Sequence, residues 1–161
     1  MKNAVLVLLL AGIAFACGPK KPETPPAAPN KLAEADAFIE KKQFSAALSV
    51  LTLEGQKTDI VRDEIHARYK AVIAAVKADS ASVTYTSDLK DAHLAYAVWL
   101  EYYGLDPKNP MSMKEVMPAS LSHYRRVLQL DPENEKAKTE IAQIEGIYKS
   151  MNREVPSAVA E

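Results

Sequence analysis

Little in this chain of 161 residues is available for catalysis, crosslinking or the capture of polyanions. It holds one cysteine, Cys17, so no disulfide can form within the chain. Five glycines are too few and too scattered to make a phosphate-cradling loop, and no serine stands in a glycine-flanked elbow. The three histidines, His66, His93 and His123, lie far apart in sequence with no His-x-x-x-His spacing and no cysteine partner. A metal site would need three helices to converge, so ordinary surface or edge histidines are expected, with no metal and no cofactor. Twenty Lys and Arg against 21 Asp and Glu leave a net charge of -1, which gives no electrostatic footprint for nucleic acid. No apolar run reaches the roughly 20 residues that span a bilayer. With no nucleophile and base, no catalytic residue and no enzyme activity are expected.

What the chain does have is helix. Many Ala, Leu, Glu and Lys with few Gly favour it, and 48% apolar with 25% charged residues suit a domain that buries a core. The organising stretch is Leu121 to Met151. Leu121, Tyr124 and Leu128 recur at steps of three and four, and Ala137, Ile141, Ile144, Tyr148 and Met151 do the same after a break. The break, Asp131-Pro132-Glu133-Asn134, supplies a proline that cannot continue the incoming helix and two candidate N-caps for the next. The pattern predicts an antiparallel helical hairpin.

These residues resemble the junction between successive tetratricopeptide repeats: Tyr124, then Leu128-Gln129-Leu130-Asp131-Pro132-Glu133-Asn134, then Ala137. A second stretch is similar. Asn30 is a candidate N-cap for a helix to about Lys42 carrying Leu32, Ala35, Phe38 and Ile39, Gln43 is the turn, and Phe44, Ala47, Leu48 and Leu51 face a second helix closed by Gly55 as a left-handed cap. The resemblance implies an all-α fold, a short tetratricopeptide-like stack of about six antiparallel helices, an α-solenoid spanning 30–151. It implies a binding scaffold.

Between the two matches the repeat register is interrupted. Asp59 is read as the cap of a third helix, with Val61, Ile65, Tyr69, Val72 and Val76 in one stripe to about Lys77. The segment 78–87 reads as loop. A fourth helix runs from Ser87 or Asp88 to Tyr103, stopped by Gly104, with Leu89, Ala92, Tyr96, Leu100 and Tyr103 on its main face and Trp99 alongside. Leu94, Val98 and Tyr102 make a second apolar stripe on the far side, so this helix is expected to lie between neighbours. Leu105 to Met111 is loop, Ser112-Met113-Lys114-Glu115 is a capping box, and Pro118 either kinks the fifth helix or restarts it at Met117. Residues 152–161, polar and proline-containing, are expected to be a disordered tail.

The N-terminal residues carry the other signal. Met1-Lys2-Asn3 is a short positive start, Ala4 to Ala16 is apolar throughout, and small residues close it, so 1–16 reads as a secretory signal peptide. Cys17 stands directly after it, which resembles bacterial lipoproteins, where that cysteine is acylated and becomes the N-terminus; Ala14 and Phe15 stand where that family carries Leu and a small residue. Ordinary cleavage after Ala16, leaving a free thiol, is the competing reading. Residues 17–29, with prolines at 19, 22, 25, 26 and 29 and no large apolar side chain, read as a lipidated cysteine and a proline-rich tether. As polyproline helix, 18–29 would reach about 37 Å.

Together these imply an exported protein, lipid-anchored to the bacterial envelope and facing the periplasm from the outer membrane. Its expected function is a membrane-tethered scaffold or adaptor for another envelope protein or peptide, resembling small repeat lipoproteins that serve secretion, pilus or outer-membrane assembly systems. The candidate partner-binding residues are Leu94, Val98 and Tyr102, which either offer an aromatic anchor between two aliphatic contacts or pack against the third helix. The alternative function is a periplasmic small-ligand carrier or sensor with a pocket among Tyr96, Trp99, Tyr102 and Tyr103.

Overall fold

The computed structural model describes residues 31–57, 61–105 and 112–161. Asn30, Asp59, Cys17 with its leader and tether, and residues 106–111 of the expected loop 105–111 lie outside the described residues. Six helices follow in order: α1 Lys31–Glu40, α2 Phe44–Gly55, α3 Arg62–Ala78, α4 Tyr85–Tyr102, α5 Ser112–Leu130 and α6 Glu135–Ser150. The described residues contain no strand. The protein is an all-helical stack.

Each helix packs on its successor, and α1 also touches α3 as α2 touches α4, so α1 and α3 lie on one side and α2 and α4 on the other. The apolar stripes explain this. Leu32 and Ala35 of α1, Phe44, Ala47 and Leu51 of α2, and Ile65, Tyr69, Val72 and Val76 of α3 are buried together with Leu89, Ala92, Tyr96, Trp99 and Leu100 of α4. A second core joins Ala97 of α4 to Leu121, Tyr124 and Val127 of α5 and Ala137 and Ile144 of α6. Helix α4 feeds both cores. Its two apolar faces are the reason six helices form one stack.

Several boundaries differ from expectation, each for a local reason. Left-handed backbone occurs at Lys42 (φ 57°) and Asn152 (φ 53°), and no described glycine adopts it. Lys42 N–H bonds Ile39 O and Gln43 N–H bonds Phe38 O, while Asn152 N–H bonds Lys149 O and Arg153 N–H bonds Tyr148 O. Both are Schellman closures, made here without glycine. Gly55, expected as such a cap, is the last residue of α2, and its bare Cα lets the Trp99 indole lie where a Cβ would sit 2.5 Å from Nε1. Helix α4 begins at Tyr85, earlier than Ser87, after a turn in which Thr84 Oγ1 bonds Asp88 Oδ2 at 2.6 Å. Val61 precedes α3 and is exposed instead of joining its stripe. Tyr103 is also exposed, and Val127, not Leu128, is the fully buried residue of the last turns of α5.

Pro118 lies inside a continuous α5. The hairpin break is as expected: Asn134 caps α6, its Oδ1 accepting from Ala137 N at 3.1 Å. The tail 152–161, expected to be disordered, instead runs as irregular chain along α5. Val155 packs on the second core, Ala160 N–H bonds Ser122 O at 3.1 Å, and Arg125 Nη1 donates to Pro156 O and to Ala158 O.

Candidate functional site

The three candidate residues lie along a surface furrow between α2 and α4. One depression of about 570 Å³ is lined by Leu48, Ser49 and Thr52 of α2 and by Asp88, Asp91 and Leu94 of α4. A second of about 360 Å³ continues from it past Thr52 and Ala95 to Val98, Tyr102 and Tyr103, with Tyr69 and Trp99 beneath. Sharing Thr52 and Ala95, the two form one groove that runs down both helices. Leu53 at 66% exposure, Tyr102 at 51% and Tyr103 at 37% stand open to solvent, Leu53 lining the first depression and the two tyrosines the second.

Leu94 and Val98 are half-buried and pack against the second core, made by α4, α5 and α6, rather than the third helix. Each therefore serves two purposes: one side joins that core and the other lines the groove. Tyr102 differs. Its hydroxyl donates to Glu140 Oε1 at 3.1 Å, and Lys136 Nζ lies over its ring 5.5 Å from the centroid, so α6 holds a ring that is half exposed.

Beneath the groove is an aromatic floor. Tyr69 and Tyr96 stack at 5.2 Å, Trp99 lies 5.7 Å from Tyr69, and Trp99 Nε1 donates to Gly55 O at 3.1 Å. Of the expected aromatic pocket, Tyr96 and Trp99 are core and Tyr102 and Tyr103 are surface. Burial pushes the Tyr69 hydroxyl up to about 12, partly offset by the hydrogen bond with Thr52.

Sequence reasoning missed two polar clusters. The histidines are not isolated, and one of them, His93, is core while His66 and His123 are half-buried. His93 is fully buried, its Nδ1 lies 2.8 Å from His123 Nδ1, and His66 Nδ1 lies 2.5 Å from the Tyr96 hydroxyl, whose ring is 4.6 Å from the His123 ring. Two facing Nδ1 atoms can bond only when one carries a proton and the other a lone pair. His93 Nε2 has no partner among the described residues, so the proton belongs on His93 Nδ1, leaving a bare lone pair inside instead of an unmet N–H. Burial, helped by the Arg126 and Lys77 charges, lowers His93 to about 4. Burial with the charges of His93, His66 and Lys70 lowers His123 to about 3. No group of three or more ligating side chains among the described residues is placed to hold a metal ion.

The second cluster joins α4, α5 and α6. Tyr124 donates to Glu101 Oε2 at 2.7 Å, and Glu140 accepts from Tyr102 and Lys136. Burial raises Glu101 and the Glu140 charge adds to this, against the Tyr124 hydrogen bond. Burial alone would raise Glu140, but the bonds from Lys136 and Tyr102 outweigh it and hold its carboxyl low. The two neighbouring carboxyls are thus pushed in opposite directions. The second cluster reaches the groove through Tyr102, and the signal for both, a polar residue at a core position of a helical stripe, was present at His93, Glu101 and Glu140. No protein-family model matches the chain, and neither a curated protein nor a solved structure matches it.

Proposed function

We propose that the chain is a non-enzymatic, membrane-tethered interaction scaffold of the bacterial envelope, similar to tetratricopeptide-repeat lipoproteins, which receives a peptide or helix of another envelope protein in the groove between α2 and α4. The observation that carries this reading is the groove itself: an apolar floor with Leu53, Tyr102 and Tyr103 exposed along it, on a stack with two cores. Aromatic anchors set between aliphatic contacts are the residue types that dominate interface energies. Sites built on helices hold such anchors better than loops do.

The tether belongs to the same proposal. No helix of the described residues is long and apolar enough to cross a membrane. The apolar leader before Cys17 supports export, and acylation at Cys17 supplies the anchor, with the outer membrane's periplasmic face as the proposed location. Assistance to a secretion, pilus or outer-membrane assembly system is the finer form of this reading.

The test is fractionation and site-specific photocrosslinking in the native host. Cys17→Ser should move the protein from the membrane to the soluble fraction. A photocrosslinker at Leu53 should label one discrete envelope protein, and Tyr102→Ala should cut that labelling several-fold. Loss of labelling with no discrete product, or membrane retention of Cys17→Ser, refutes the respective half. A second reading, a small-ligand carrier, draws on the 360 Å³ depression over Tyr69 and Trp99, which lies within the usual range for ligand pockets. A heat-released small molecule that quenches Trp99 would favour it.

A further inference from the structure

Residues 153–160 lie on the stack as a bound peptide lies on a receptor. The chain leaves α6 at Ser150, passes through left-handed Asn152, and runs on from Arg153 without a further turn or bend. Pro156 has no N–H, fixes its own φ and biases Val155 toward extended backbone, so the segment cannot carry a helix through 156.

Two kinds of contact hold it. Arg125 Nη1 donates to Pro156 O and to Ala158 O, and Ala160 N–H donates to Ser122 O at 3.1 Å. In extended chain the main-chain polar groups of every second residue point to one side, so 156, 158 and 160 all turn theirs toward α5. Such bonds read the conformation of a segment and not its side chains. The large side chain that is seated is Val155, packed on the second core, whereas Val159 is exposed and Ser157 and Ala158 stand in solvent. Main-chain bonds for affinity with a side-chain seat for specificity is the mode by which extended peptides are recognised.

The receiving surface does not depend on the segment. Arg125 Nη2 donates to Glu145 Oε1 at 3.1 Å, so α6 aims the guanidinium and leaves Nη1 for the carbonyls. Ser122 and Arg125 stand on continuous α5. The segment, by contrast, has one apolar anchor and few buried contacts, which places it among the parts of a fold that open without global unfolding.

We propose that this edge of α5 and α6 is a docking site for an extended peptide, filled in the resting molecule by residues 153–160, which a partner segment of the same pattern, an apolar residue and proline followed by small residues, displaces. The segment's hydrogen bonds go to α5 and α6, so this is a second site and does not rest on the role of the groove between α2 and α4. Joined by a short stretch of chain, the resident segment meets its site at an effective concentration on the order of 1 mM. Its own intermolecular Kd must then lie below about 1 mM for it to stay docked. A partner present at about 1 µM must bind roughly 1,000-fold more tightly than the resident to replace it, so the segment screens out weak ligands.

A fluorescein-labelled peptide of residues 152–161, titrated into the full chain in detergent and read by anisotropy, tests this. Val155→Asp in the full chain removes the resident anchor and should open the site, so that the peptide binds with Kd below about 1 mM and about tenfold more tightly than to the wild type. Adding Arg125→Lys keeps a cation beside Glu145 but cannot serve a carboxylate and two carbonyls together, and should weaken that binding about tenfold. Circular dichroism of each variant checks that the helices are intact. A second readout uses the wild type alone: exchange of the Ala160 amide should be slowed about tenfold relative to the free peptide, and millimolar unlabelled peptide should restore it while the α5 amides stay protected. No binding by the opened variant, equal binding by variant and wild type, indifference to Arg125→Lys, or an Ala160 amide that exchanges freely in the wild type each overturns the proposal.

Discussion

Lowering the pH from 7 to 5 should destabilise this protein by about 3 to 4 kcal/mol through His93 and His123 alone. In the unfolded chain both imidazoles bind protons as the pH falls through about 6.5. In the folded chain burial, with the charges around them, keeps His93 neutral to about 4 and His123 to about 3. The folded pKa values are depressed, so the unfolded state holds more protons across this window and stability falls with pH. At pH 5 each histidine is about 1.5 pH units below its unfolded midpoint, worth about 2 kcal/mol at ~1.36 kcal/mol per unit. His66, lowered by burial and Lys70, acts in the same direction, and Glu101, raised by burial, opposes it. The cleanest measurement is therefore a difference: urea unfolding followed by circular dichroism at pH 7, 6 and 5 for the wild type and for His93→Gln/His123→Gln. Two glutamines can keep an amide hydrogen bond across the α4–α5 contact without titrating. The wild type should lose a large part of a typical 5 to 15 kcal/mol stability, and the variant should show a slope flatter by about 3 kcal/mol over the same range. Equal slopes, or a wild-type loss under about 1 kcal/mol, would show that water reaches the pair and that the buried neutral imidazoles are misplaced.

Other perturbations read the packing directly. Gly55→Ala would set a Cβ 2.5 Å from Trp99 Nε1, which is itself bonded to Gly55 O, so a loss of about 1 to 3 kcal/mol and a shifted Trp99 emission are expected in a thermal melt. Leu121→Ala, at a fully buried site, should cost about 2 to 5 kcal/mol, whereas Leu128→Ala, half-buried, should cost clearly less; equal midpoints in denaturant would contradict the assignment of the second core. Tyr124→Phe removes the donor to Glu101 Oε2 and should cost about 1 to 3 kcal/mol at pH 7, with a smaller penalty at pH 4, where Glu101 is protonated and no longer leaves a charge unmet. Tyr102→Ala should lower stability by about 1 to 3 kcal/mol although half the ring is in solvent, because it removes one of the donors to the buried carboxylate of Glu140.

What the sequence determined by itself is whatever depends on period and on local chain chemistry. Helical spacing placed Ile65, Tyr69, Val72 and Val76 on one buried face, and Asp131-Pro132-Glu133-Asn134 turned the chain and capped α6 through Asn134, because proline and a short polar side chain act within four residues of themselves. The double stripe of α4 likewise announced a helix packed on both sides. Tertiary structure decided everything that depends on which faces meet. Only the crossing of α4 with α5 brings His93 to His123, 30 residues apart, and only the approach of α6 joins Glu140 to Tyr102. Gly55 looked like a cap because glycine favours left-handed backbone, yet the space needed by Trp99, 44 residues away, fixed its role. The closures at Lys42 and Asn152 show the same competition in reverse: the hydrogen bonds that end α1 and α6 offset the cost of a left-handed non-glycine residue, a balance set by the folded helix ends and not by residue preference.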